Sequence, residues 1–259
     1  MLLRLLLLLP LFVFGVFAQA SACNAVGELE WVELMTVVDG DTLHLTDGRK
    51  LRVLAINTPE LANRGKPAQP LAIAAQNAVK TFFADQSKVG LQIGQQKKDH
   101  YGRWLAHVFR ADGKSLAEYL LAQGLAWQVV VPPNEGYWQC LTAHEASAQR
   151  QGIGIWQAGI YPALDARQLT TANSGFQRVH GTIRAINRSR DSWWLQLDTL
   201  AIRLRSKDLS RFNLNDPNDW LNKTVTIRGW VVDRSASAAV KKKKYSPLMI
   251  NLQHPAMLK

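Results

Sequence analysis

Cysteine is scarce in this sequence. Two occur in 259 residues, Cys23 and Cys140, and neither stands in a motif that would make it catalytic. The chain opens with a segment that reads as an export signal, so both would meet an oxidising compartment, and one disulfide between them is expected. Long apolar runs are absent beyond residue 22. The exception, "MLLRLLLLLPLFVFGVFAQASA", carries one basic residue, Arg4, then a leucine- and phenylalanine-rich core and small residues in A-x-A spacing, the pattern of a cleaved signal peptide over 1–22. Its core from Leu5 to Ala18 is short for a membrane span, so the mature chain is expected to be soluble, in the periplasm or outside the cell. A lipid-modified Cys23 that anchors the chain is the competing reading. Internal repeats are missing too, and the sole low-complexity run is "KKKK" at 241–244, read as a solvated hairpin tip.

Acidic residues fall short of basic ones, and unevenly so. The formal net charge is +11 and the calculated isoelectric point 9.9, which points to an anionic partner. From Asn24 to Ile160 thirteen basic residues face thirteen acidic ones, whereas from Tyr161 to Lys259 seventeen face seven. Nearly all the excess therefore belongs to the last hundred residues, and the two halves are expected to have different tasks. With 47% hydrophobic and 20% charged residues the chain can build one large core or two small ones, and disorder is excluded over most of it.

What is present reads as follows. Alternation predicts strands over 31–38, 41–46 and 49–56, the last two joined by a turn at Asp47-Gly48. An alanine-rich segment with helical spacing covers 71–85, strands return over 88–96 and 103–110, and Ser115 caps a short helix over 116–123 that Gly124 stops. An extended piece over 125–131 is broken by Pro132-Pro133, and a helix follows over 138–152. Residues 157–175 have linker composition. Beyond them "FQRVHGTIRAIN", "SWWLQLD", "LAIRLR" and "TVTIRGWVV" read as strands, with a helical patch around Leu209 to Leu221. The fold class is α+β, mainly β, with a second small barrel at the C-terminal end; the domains are 23–162 and 170–259.

Three separated segments carry charges that packing does not require. In "VVDGDTLHL" (37–45), Asp39-Gly40 has the composition of a hairpin turn, whose positive φ glycine would supply, but this leaves Asp41 unexplained. Arg52 to Glu60 form "RVLAINTPE", and Arg103 closes "DHYGR". Each has an ordinary explanation alone. Together they offer carboxylate and amide oxygens for a hard cation and two guanidinium forks for a phosphate, the inventory of phosphodiester hydrolysis.

These residues resemble the thermonuclease, or staphylococcal nuclease-like, family of calcium-dependent nucleases. The likeness rests on "VVDGDTLHL", "RVLAINTPE", "DHYGRWLAHV", "LAEYLLAQGLA" and "GIW" in that order, over about residues 31–160. It implies a five-stranded OB-type barrel packed with helices. It also implies that Asp41, Asn57 and the Thr58 carbonyl surround Ca2+, that Glu60 acts through a bound water, and that Arg52 and Arg103 clamp the phosphate. Products with a 3'-phosphate are implied likewise. The sequence departs from the family at two places. Asn57 stands where the best-known members have aspartate, so calcium affinity is expected near ~10⁻⁴ to 10⁻³ M. The tyrosines that follow "QGLA" in those members are replaced by "WQVVVPPN", leaving His100 and Tyr101 as the nearest candidates for contact with a nucleotide.

In the basic half, a period of two separates core from surface. Leu195, Leu197, Leu200, Ile202, Leu204, Val225, Ile227 and Val231 fall on the core side with Trp193. Trp194, Arg203, Arg205, Arg228 and Trp230 fall on the other, the ingredients of a surface that stacks bases and tracks phosphates. The expected protein is thus an exported, monomeric, calcium-dependent nuclease of little sequence specificity, acting on DNA or RNA without an organic cofactor or a membrane span. A noncatalytic nucleic-acid-binding protein that keeps the nuclease fold is the rival, made thinkable by Asn57 and the missing tyrosines.

Overall fold

The computed structural model describes residues 22–63, 65–214, 216–243 and 245–259. The expected signal peptide lies outside the described residues except for its final alanine, and so does Lys244 of the lysine run.

Five strands close a barrel in the order β1-β2-β3-β6-β5: β1 Glu30–Val37, β2 Thr42–Leu45, β3 Lys50–Val53, β5 Lys88–Lys98 and β6 Trp104–Phe109. All neighbours are antiparallel except β3 and β6, which run parallel with Arg52 opposite Leu105. Alternation works as the sequence predicts: Leu43, Leu45, Leu51, Val53, Val89, Leu91, Ala106 and Val108 point inward and are fully buried. Each such leucine contributes about 2 kcal/mol by leaving water. A two-stranded ribbon, β4 Ile56–Asn57 with β7 Trp127–Gln128, lies outside the barrel and sets Asn57 opposite Trp127.

Three helices cover the barrel: α1 Ala72–Phe82, α2 Leu116–Ala122 and α3 Trp138–Gln151. In α1 the buried residues Ala72, Ala75, Ala78, Val79 and Phe82 follow helical spacing, and the Ser115 hydroxyl accepts from the Glu118 N–H to cap α2. Cys23 is bonded to Cys140 of α3, which ties the start of the described chain to the helical layer across 117 residues. A closed loop of that length restricts the unfolded chain by on the order of 4 kcal/mol.

The second half forms a half-barrel of seven strands, ordered β10-β11-β12-β14-β13-β9-β8. These are β8 Leu164–Asp165, β9 Gly175–Thr182, β10 Ala185–Arg188, β11 Ser192–Leu197, β12 Leu200–Arg205, β13 Thr224–Asp233 and β14 Leu248–Leu252. The supposed linker is packed structure. Its Ala166 and Leu169 are buried in the second core, and β8 pairs with β9, so that core draws on residues before 170. The helical patch near 209–221 consists of two short 3-10 turns, Ser206–Arg211 and Pro217–Trp220, because Phe212 must turn inward and Pro217 interrupts the backbone bonding. The lysine run does lie in the solvated connection of a hairpin, since β13 and β14 pair antiparallel with Asp233 opposite Leu248, but Lys241–Lys243 there end a short helix, α4 Ala238–Lys243, with Lys241 and Lys242 exposed.

The halves are locked together rather than strung on a tether. On α3 the inward stripe reads Leu141, Glu145, Ala148, which puts a carboxylate where a core residue would stand. Arg228 of β13 reaches it from the second sheet, and Lys259 adds a second cation at 3.3 Å. Arg228 also donates to the Ala256 carbonyl at 2.9 Å, Arg211 pairs with Glu135, and the Trp138 ring packs on His254 at 4.8 Å. Arg228 therefore corrects the expectation of an outward, nucleic-acid-facing residue. Its face of the sheet is the predicted one, but that face is covered by α3, leaving the side chain 5% exposed.

Candidate active site

The β1-β2 turn places Asp41. Its N–H donates to the Asp39 side chain at 2.9 Å, and its carbonyl accepts from Val53 of β3 at 2.8 Å, so backbone bonds on both sides fix the carboxylate. Gly40 is needed here for space rather than for turn geometry. Its φ is not in the left-handed region, unlike that of Gly48 at +85°, but a Cβ at Gly40 would meet the Thr58 side chain at 2.6 Å. The two Asp-Gly pairs thus have different reasons for their glycine.

That close approach brings the 57–60 segment onto Asp41. The Thr58 N–H donates to Asp41 Oδ2 at 2.8 Å, and Arg52 Nη2 lies 3.1 Å from the same oxygen. Arg52 also donates to Asn57 Oδ1 at 3.0 Å and to the carbonyls of Val53 and Ile56 at 2.7 and 2.9 Å. Asn57 Nδ2 reaches the Thr58 carbonyl at 3.4 Å. Asp41, Asn57 and Thr58 are all buried, which gathers carboxylate, amide and carbonyl oxygens into one small volume. Glu60 closes the group at its solvent edge, its N–H held by Gln69 Oε1 at 2.9 Å.

The electrostatics are those of a crowded anionic cluster. Burial, and then the neighbouring Asp41 carboxylate, push Asp39 up to about 6. Partial burial raises Glu60 as well, followed by the charges of Asp41 and Asp39, with Arg52 and Arg103 opposing. The repulsion among these three carboxylates is only partly relieved by arginine, and Asp41 with the Asn57 amide and the Thr58 carbonyl offers oxygens of the kind a hard cation takes.

Arg103 stands across from this group in a tight turn. Its Nε donates to Asp99 Oδ2 at 2.8 Å and its guanidinium lies 5.5 Å from the Tyr101 ring, which itself packs at a tilt on His100, ring centres 3.7 Å apart. Arg52, Arg103, His100 and Tyr101 line one groove of about 430 Å³. Asn57 and Glu60 line a second of about 480 Å³, with Lys66, Trp127, Phe176 and Arg178. Trp230 borders both. The structure therefore brings Asp41, Arg52, Asn57, Thr58, Glu60 and Arg103 into one neighbourhood.

The remaining candidates are dispersed. Arg203 pairs with Asp191 at 3.1 Å, and Arg205 with Asp208 at 2.9 Å, so both charges are partly neutralised by the segments that flank the strands. The Trp194 ring carries the guanidiniums of Arg203 and Arg234 at 5.6 and 5.3 Å, which occupy the faces a base would use. Sequence reasoning missed Trp127, Phe176 and Arg178. A signal was there for the first: Trp127 opens the segment "WQVVVPPN" in which tyrosines were sought, and it offers an aromatic ring there.

The model of the family described as staphylococcal nuclease homologue matches residues 50–158, ending before the second sheet begins. The chain is similar to a thermonuclease of Staphylococcus intermedius, 34% identical over 124 residues, or 47% of this chain and 73% of that protein. It is also 34% identical to a thermonuclease of Staphylococcus hyicus over 146 residues, 55% of this chain and 83% of that protein. Endonuclease YncB of Bacillus subtilis is 33% identical over 135 residues, covering 50% of this chain and 63% of that protein.

Proposed function

The chain belongs to the staphylococcal nuclease family, and on that premise we propose that it is an exported, calcium-dependent nuclease that hydrolyses phosphodiester bonds of DNA or RNA. The observation that carries this is the cluster in which Arg52 binds both Asp41 and Asn57 beside the Thr58 carbonyl, with Glu60 at its edge. Asp41, Asn57 and the Thr58 carbonyl would hold calcium, which supplies positive charge to a phosphoryl oxygen as negative charge builds there.

The chain's own residues do the rest. Arg103, which lines the same groove as Arg52, has Nη atoms beyond its Asp99 contact with which to grip a phosphate fork-wise. Arg52 is already oriented by four protein acceptors, so it meets developing charge without reorganising. Glu60, whose proton affinity is raised by burial and by Asp41, can take the proton of an attacking water. Nothing in this set addresses base edges, which accounts for low sequence specificity.

The test is cleavage of labelled DNA and RNA by the purified mature chain in calcium and in EDTA. Calcium-activated cleavage of either polymer is expected. Binding without cleavage in any divalent ion would instead support the noncatalytic reading. Export is tested separately, by the N-terminal residue of the protein recovered from the periplasm or medium, expected at or near Cys23.

A further inference from the structure

The two grooves that meet at the candidate site share a wall the barrel does not make. Asn57 floors one groove and Arg52 the other, and these two side chains are joined by a 3.0 Å hydrogen bond. Across from that junction stands Trp230 of β13, which borders both grooves and leaves 42% of its surface open. Its cross-strand partner is Phe176 of β9, edge-to-face at 5.2 Å. Trp127 packs behind Phe176 at 5.3 Å, and Tyr161 on Trp127 at 4.7 Å, so four rings run continuously from the barrel ribbon to the second sheet. The buried Trp127 indole nitrogen has no hydrogen-bond partner among the described residues.

We propose that Trp230 and Phe176 form the base-stacking wall of the catalytic cleft, so that the substrate is an unpaired polynucleotide strand drawn from one groove to the other across the phosphate site. This rests on the nuclease reading and names its substrate class. Each groove has the size of a nucleotide-scale ligand site. A duplex keeps its base faces stacked on one another, whereas an unpaired strand offers them to an aromatic ring. Cations lie where its phosphates would pass: Lys66 and Arg178 in the first groove, Arg52 and Arg103 in the second. The wall is rigidly mounted, because Arg228, two residues before Trp230 on the same face, is locked to Glu145. Trp194, the platform expected from sequence, lies three strand spacings from β13, about 14 Å, under two guanidiniums.

The wall is tested by fluorescence anisotropy of a labelled oligothymidylate in EDTA, where no cleavage intervenes. Trp230→Ala should weaken binding by about 10-fold or more, Trp230→Phe should retain most of it, and a self-complementary hairpin should bind the unaltered protein about 10-fold more weakly than the strand. In calcium, Trp230→Ala should raise KM on the strand far more than it lowers kcat. Unchanged strand affinity in Trp230→Ala, equal affinity for strand and hairpin, or no strand binding by the unaltered protein overturns the wall. Failure of the unaltered protein to cleave the strand in calcium, with the Trp230 effect on binding intact, overturns the nuclease reading and leaves the wall standing.

Discussion

Two arginines organise this molecule, Arg228 buried and Arg52 partly buried, and they do so differently. Arg228 meets a carboxylate that is already well supplied. Burial pushes Glu145 up, but the charge and hydrogen bond of Arg228, then Lys259 and the Gln128 N–H, hold it below its ordinary value. Arg52 meets a cluster it cannot neutralise alone, since Asp39, Asp41 and Glu60 converge there and the carboxyls of Asp39 and Glu60 are pushed up. The first is a finished ion pair that joins helix α3 of the first half to the second sheet. The second is left short of positive charge, the arrangement expected where a cation and a phosphate are to be bound. Burial alone does not separate a structural charge from a functional one; the balance of its neighbours does.

The largest effect should come from unbalancing the finished pair. Arg228→Met leaves Glu145 buried beside Lys259 alone, and should cost about 3 to 5 kcal/mol of stability in urea unfolding. Adding Glu145→Gln keeps an acceptor for the Gln128 N–H while removing the charge, so the double variant should recover most of the loss. A single variant as stable as the parent would show that the pair does not hold the halves together.

A buried histidine shows what happens with no partner charge at all. His107 of β6 packs against the Tyr137 ring at 4.9 Å, and burial lowers its pKa to about 4. The unfolded chain therefore binds a proton as pH falls through about 6.5 while the folded one does not until about 4. Stability attributable to this group is present above that window and lost as pH drops through it, by roughly 3 kcal/mol in all. Carboxylates such as Glu145 also lose stability in acid, so the measurement is the difference between the parent and His107→Gln. The urea midpoint should fall less between pH 7 and pH 4.5, in those rough terms, for the variant. Parallel falls would mean that His107 is solvated.

Next comes the site's own shortage of charge. Arg103→Ala removes a guanidinium whose only protein ion pair among the described residues is Asp99, so the fold should survive while kcat drops by about 10²-fold. Arg52→Lys is the better probe of the other arm, because Arg52→Ala would also orphan the carbonyls of Val53 and Ile56. A lysine cannot satisfy those carbonyls, Asp41 and Asn57 at once. Turnover at parental level in either folded variant would remove the phosphate clamp from the mechanism.

Much of this was legible in the sequence, for reasons that differ by residue. The barrel strands and α3 follow from periodicity, because half-buried strands and helices impose periods of 2 and 3.6 on apolar residues. The 41–60 constellation was legible because charge there interrupts those periods. The misplacement of Arg228 has the same source as the success with Leu195 and Ile202: alternation says which face a side chain is on but not what covers that face. Glu145 in the apolar stripe of α3 was the missing half of the pair, visible beforehand as a carboxylate between Leu141 and Ala148. The wall of Phe176 and Trp230 depends on the docking of two sheets, and no local pattern encodes that.

The smallest expected effect sharpens the comparison most. Asn57 gives Arg52 a neutral acceptor at Oδ1, and its Nδ2 leans toward the Thr58 carbonyl at 3.4 Å. Asn57→Asp would keep the first contact and set an anionic oxygen against that carbonyl, next to carboxylates that already repel one another. Without calcium the variant should lose about 1 kcal/mol, since a buried charge is added where positive charge is short. With calcium the added charge becomes an advantage, because affinity in oxygen sites rises with the number of charged ligands. Titration calorimetry should therefore show binding tightened by about 10-fold, and the thermal shift on adding calcium should be larger than for the parent. The opposite result would be equally informative. If calcium bound no more tightly, residue 57 would not be a ligand, and Arg52 would have to be regarded as the partner of a structural pair like that of Arg228.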